Sequence, residues 1–181
     1  MFDLFLGIPA HPLIVHAAVV FIPLQAAAAI VYGFVPVWRR FMAWAVLGLA
    51  VIAPLSAWAA KFSGEAFEQR LLKKGVGGET INMVNQHASF AAVTAWLTLG
   101  LSVVMILQLL VGMRSRRLAT APGETAEITR DAADVMGSPV SSKLVSLVLA
   151  VVALGLGGVT IYYVARTGDL GAHIAWSGYG D

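Results

Sequence analysis

The chain contains no cysteine and little charge. Without thiols it can form no disulfide, no thiolate metal site and no haem linked through thioether bonds. Asp, Glu, Lys and Arg make up 12% of its 181 residues, about half the ~25% of an ordinary soluble domain. None of the four interrupts residues 13–35, 41–60, 88–113 or 144–165. Ion pumps and coupled transporters mark their paths with ionisable groups at membrane depth, so that absence argues against both. It also leaves an enzyme without acids inside the spans. Ser63-Gly64-Glu65 lacks the context of a nucleophile elbow, and Gly75, Gly77 and Gly78 are not followed by the Lys-Ser/Thr of a phosphate-binding loop. A net charge of +2, with the basic residues scattered at the ends of the apolar runs, gives no surface for nucleic acid.

What the chain does have is apolar length. It is 59% hydrophobic, with a mean hydropathy of +0.80. Each uncharged run reaches the ~20 residues that cross a ~30 Å hydrocarbon core. The expected fold is all-α: a polytopic membrane protein with four transmembrane helices in an antiparallel bundle, at about residues 12–35, 41–61, 87–113 and 143–166. An outer loop over 61–86, with a short helix near 65–74, and a flexible cytoplasmic loop over 114–142 would join them. The first ten residues carry Asp3 and no basic residue, so the first run reads as a retained anchor rather than a cleaved signal. Pro12 suits a first helical turn, and Pro54 would kink the second helix. No internal repeat can be read from the residues.

Lys and Arg divide seven against five between the two faces of such a bundle. Arg39 and Arg40 lie in a tight turn, and Arg114, Arg116 and Arg117 follow the third run directly. Short-loop basic residues beside the membrane set orientation. Both termini are therefore expected outside the cytoplasm.

That topology brings all four histidines, His11, His16, His87 and His173, to one face. His16 lies inside the first apolar run, where an ionisable side chain needs a purpose. His87 opens the third run, and Thr94, Thr98 and Gln108 fall close to its helical face. The expectation is that His16 and His87 meet inside the bundle as a cofactor site, with His11 only interfacial. Two imidazoles from facing helices suit b-type haem. Zinc or copper would need further ligands, the candidates being His11, Glu65 and His173. A proton or quinol site is another use of the same pair. The rival expectation is a non-catalytic accessory subunit. It would pack the small-residue face of the fourth helix, Ala153 and Gly157, on a larger respiratory complex.

The run His11-Pro12-Leu13-Ile14-Val15-His16, followed by Phe21-Ile22-Pro23-Leu24, resembles a bacterial membrane family called domain of unknown function 2231. Ser63-Gly64 near the end of the second helix, His87 at the start of the third and the glycines of 168–180 match further parts of its pattern. The chain departs from the family where Ala17-Ala18, rather than Phe-Pro, follow the second histidine, and where Ser177-Gly178 replaces a His-Gly. The resemblance implies a four-helix bundle of the bacterial inner membrane, often associated with redox or respiratory proteins, and supplies no reaction.

Overall fold

A computed structural model describes residues 4–5, 8–120 and 139–176, with side chains over 10–114 and 143–176. Four helices carry it: α1 (Ala10–Phe34), α2 (Arg39–Lys73), α3 (Glu79–Thr120) and α4 (Pro139–Trp176). Each is long and apolar enough to cross a membrane. A two-residue antiparallel pairing, Leu4–Phe5 with Ile8–Pro9, precedes α1. Each helix packs on the next, α4 closes the ring on α1, and α1 also touches α3 across the diagonal. This is the expected all-α membrane bundle.

Small residues let the backbones approach closely. Ala26, Ala28 and Ala29 of α1 share one core with Ala50 of α2 and Ala153 of α4, and Leu101 and Met105 of α3 fill the space between. In an apolar solvent such close packing replaces the hydrophobic drive that assembles bundles in water. Gly157 lies against Ala26 and Ile30, and Ala153 is fully buried. The small-residue face assigned above to a partner complex is therefore used inside the bundle, against α1. That is a correction, and its cause is simple: helical spacing finds a small-residue face but cannot say which helix covers it.

The turns explain where the helices stop. α1 gives way to a single 3-10 turn at Pro36–Trp38. Arg39 then reaches back, its Nε donating to the Tyr32 carbonyl at 2.8 Å and its Nη2 to the Gly33 carbonyl at 2.7 Å. Carbonyls in the last turn of a helix have no partner of their own, and a cation is also favoured at that end of the dipole. α2 ends in a Schellman turn. Val76 N–H bonds to Leu71 O, Gly75 N–H bonds to Leu72 O, and Gly75 takes φ +78°.

The outer segment differs most from expectation. α2 runs on to Lys73 and α3 begins at Glu79, so only residues 74–78 lie between helices where the sequence suggested a loop over 61–86. Charge marks where a helix leaves the bilayer, not where it ends. Past that point α2 carries an ordinary surface pair, Lys61 with Glu65 one turn on. α4 likewise continues to Trp176. Of the expected loop over 114–142, α3 takes the first part, to Thr120, and α4 the last, from Pro139. The part between lies outside the described residues.

The bundle also contains a repeat that the residues hide. His11 and His87 are 76 residues apart. Moving the nine buried positions of α1 along by that spacing lands eight of them on buried positions of α3. Ala18 falls on Thr94, Ile22 on Thr98, Ala26 on Ser102 and Ala29 on Met105. Between α2 and α4, buried Val46, Ala50 and Ala53 correspond at a different spacing, 107 residues, to buried Ala153, Gly157 and Thr160. The hairpins α1–α2 and α3–α4 therefore bury the same register with different side chains.

Candidate functional site

The histidines that meet are His11 and His87. Their ring centroids are 6.4 Å apart and the rings are perpendicular, at 88°. His11 is inside α1, in its first turn, not before it. At 100° per residue it shares a face with the buried Ala18, Ile22 and Ala29, whereas His16 lies about 140° round the helix. His16 is accordingly exposed, its Nδ1 turned back to the Pro12 carbonyl of its own helix. The structure thus brings His87 to His11, while the more exposed His16 lines the cavity beside them.

Each imidazole is cradled by the hairpin partner of its own helix. His11 Nδ1 is 3.1 Å from the Ala60 carbonyl and 3.0 Å from Ser63 Oγ. Ser63 already donates its proton to the same carbonyl, at 2.9 Å. A carbonyl only accepts, so Nδ1 must carry the hydrogen, and Nε2 is left with a free lone pair. Gly64 lies over the ring: a Cβ there would come 3.1 Å from His11 Cε1. His87 repeats this arrangement in the other hairpin. The Thr167 backbone is within hydrogen-bonding reach of its ring, and a Cβ on Gly171 would come 3.1 Å from its Cε1. In both halves the backbone contact comes four residues before the glycine. Nδ1 of His87 is buried with no hydrogen-bond partner among the described residues.

The pair lines a cavity of about 620 Å³, walled by aliphatic side chains such as Val15, Ile22 and Val164 and floored by Thr94 and Thr167. A second cavity, of about 460 Å³, lies on the other side of the same histidines, beside Phe67, Leu71 and Val84. Both fall in the size range of small-molecule and cofactor sites. Polar groups are few: beside the two imidazoles, with a lone pair free on His11 Nε2, His16 and Lys61 line the first cavity, and Lys61, Glu65 and Glu68 line the second.

Of the other candidate ligands, Glu65 lines the second cavity and His173 lines neither. Glu65 pairs with Lys61, and His173 is exposed beside Asp169, at 3.7 Å. Among the described residues no group of three or more His, Cys, Asp or Glu could hold a bare metal ion. Thr94, Thr98 and Gln108 do point into the bundle as their spacing predicted. Gln25 is fully buried, donating to the Thr98 carbonyl and to Ser102 Oγ.

The profile of the family described as "Predicted membrane protein (DUF2231)" matches residues 7–179. The chain belongs to the DUF2231 family. The match covers both histidines, both glycine cradles and all four helices of this DUF2231 protein. Searches of curated proteins and of solved structures return no match to it. The family description carries membrane character and no reaction.

Sequence reasoning kept His11 as a candidate metal ligand but set it aside as interfacial, because it put that residue ahead of the helix. The usable clue was present. His11 and His87 precede buried positions at the same spacings, seven, eleven and eighteen residues on. It missed Gly64 and Gly171 as cradles because a glycine reveals what it makes room for only in three dimensions.

Proposed function

We propose that this protein is a non-catalytic, membrane-embedded binding module that holds b-type haem between His11 and His87. The observation that carries the reading is the centroid spacing of 6.4 Å between two perpendicular imidazoles, with a lone pair left on His11 Nε2. Metal–nitrogen bonds run at ~2.0–2.1 Å. Adding about 1.1 Å from ring centre to nitrogen at each end, two imidazoles gripping one metal stand roughly 6.3 Å apart. Haem brings four equatorial nitrogens of its own and asks the protein for axial ligands alone. Zinc or copper would want more than the pair supplies. Cavities on both sides of the histidines give a flat macrocycle apolar surroundings. Ser63 and the Ala60 carbonyl fix the His11 tautomer, as partners behind a metal-bound histidine do.

In this reading the histidine face and both termini lie outside the cytoplasm of a bacterial inner membrane, with the Arg39–Arg40 turn inside, following the basic clusters. A role beside a respiratory complex would need a surface other than Ala153 and Gly157, which α1 covers.

The test is spectroscopic. The purified chain is titrated with haemin and its visible spectrum recorded, with His11→Ala, His87→Ala and His16→Ala alongside. A low-spin spectrum at stoichiometric haem is expected for wild type and His16→Ala, and its loss in the other two. Absence of saturable haem binding by wild type refutes the reading. Equal binding by His11→Ala refutes the assignment of that residue.

A further inference from the structure

We propose that the larger cavity binds a lipid-soluble hydroquinone, which enters from the membrane between α1 and α4 and donates a hydrogen bond to His16 Nε2. The site lies beside the proposed haem and does not depend on it.

The cavity reaches the outside of the bundle through a cleft between α1 and α4. Pro12, His16 and Val19 line it from α1, and Gly168, Ala172 and Ala175 line it from α4. All six are exposed. Each trio is spaced by four and then three residues, which keeps it within one stripe of about 60° on its helix. The two stripes are therefore the lips of the cleft. The α4 lip has no side chain larger than a methyl group, and no atom lies within 4 Å of a Cβ at Gly168. The opening is local. Farther in, Gly157 packs on Ala26 and Ile30, and Gly33 stands against Ala150, so the same two helices are closed there. Val19 and Val164 belong to uncharged runs, whereas Gly168 to Ala175 lie past Arg166, which pairs with Asp169. The cleft thus spans the boundary between hydrocarbon and headgroups, the depth that amphipathic rings favour.

The polar groups deeper in this cavity offer lone pairs rather than hydrogens. His16 Nδ1 faces the Pro12 carbonyl, which only accepts, so Nδ1 carries the hydrogen and Nε2 keeps its lone pair. Thr94 Oγ1 donates to Phe90 O and Thr167 Oγ1 to Tyr163 O, so both hydroxyls have spent their protons on their own helices. The side-chain nitrogen donors in the lining, Lys61 and Trp176, lie toward the outer end, and Lys61 is held by Glu65. A quinone or an ester would bring further acceptors to such a lining. A fatty acid would bring its charge to a cation already paired. A hydroquinone brings two hydroxyl donors on a flat apolar ring, and Val15, Ile22 and Val164 supply matching walls. By helical rise, His16 is ~7.5 Å and Val19 ~12 Å inward from His11. A ring at the cleft therefore sits deeper than the imidazole pair, not between its members.

The test is calorimetric titration of the full chain in nanodiscs, with empty nanodiscs as the blank. The probe is a decyl-tailed benzohydroquinone, and its oxidised quinone is the matched control. Saturable binding of the hydroquinone is expected, with the quinone weaker because a site built to accept hydrogen bonds rejects an analogue without donors. His16→Leu should weaken the hydroquinone by roughly tenfold, the worth of one hydrogen bond, and His16→Gln, which restores an acceptor, should recover part of that. Ala172→Trp, on the opposite lip, should abolish binding by filling the cleft. Absence of saturable binding overturns the proposal, as does equal affinity for quinone and hydroquinone, or for wild type and His16→Leu. Haem titration of the same His16→Leu protein, which keeps His11 and His87, separates a failure here from a failure of the haem reading.

Discussion

At Gly33 α1 and α4 approach closely, and its replacement by alanine tests the packing logic of the bundle. A Cβ at Gly33 would come 2.8 Å from Ala150 Cβ, 3.0 Å from Ala150 Cα and 2.9 Å from Gln108 Nε2. Carbon atoms in good contact stand ~3.5–4.0 Å apart, so α1 and α4 would have to separate locally by about 0.7 Å or more. Neither helix can yield by turning a side chain, because two of the three atoms belong to alanine. Overpacking of this kind costs about 1–3 kcal/mol, and disturbing the weak Gln108–Leu149 bond adds to it. Against that stands the gain from replacing glycine within a helix, about 1 kcal/mol. The net expectation is a loss of about 1–2 kcal/mol. Gly155→Ala is the matched control. No atom lies within 4 Å of a Cβ there, so only the helical gain remains. Unfolding of both variants by denaturing detergent, followed by tryptophan fluorescence, gives the two numbers. If Gly33→Ala is as stable as Gly155→Ala, the close approach of α1 and α4 is not what the structure describes.

Three further expectations follow from the turns and the site. Arg39→Ala removes two hydrogen bonds from the end of α1 and should cost about 1–3 kcal/mol by the same unfolding assay, with Arg39→Lys recovering part of it; no change would mean the cap is idle. Gly75→Ala forces a side chain into φ +78° and should destabilise by about 1–2 kcal/mol, whereas Gly77→Ala, with neither positive φ nor a close neighbour, should be neutral. Ser63→Ala takes one of two partners from His11 Nδ1 and leaves the Ala60 carbonyl, so haem affinity should weaken by about tenfold, within the range for partners behind a metal ligand; an effect as large as His11→Ala would mean that Ser63 itself contacts the ligand.

The fold was legible because the bilayer admits few solutions. Four uncharged runs of sufficient length leave little choice but four helices, and the inward face of α3 could be read from Thr94, Thr98 and Gln108. The extent of the helices was not legible. A run such as 61–73 reads as loop by its charges, yet it is helical, with Lys61 paired to Glu65 at i,i+4 and a Schellman glycine at its end. The site was half legible. His87 was found through its polar face, but the choice between His11 and His16 turned on whether α1 began at residue 10 or 12, a difference smaller than sequence patterns resolve. The repeat stayed hidden because burial, rather than residue type, is what the two hairpins share.

That repeat has a consequence for how the site is held together. The two hairpins touch the proposed ligand from opposite sides, and residues 74–78, on the same face as the histidines, are their covalent join. Their meeting is therefore intramolecular, at an effective concentration set by a five-residue tether rather than by how much protein the membrane holds. Two separate hairpins would lose a shared ligand on dilution. One chain keeps both grips in register, and binding should lock the halves together at the end where the tether already holds them.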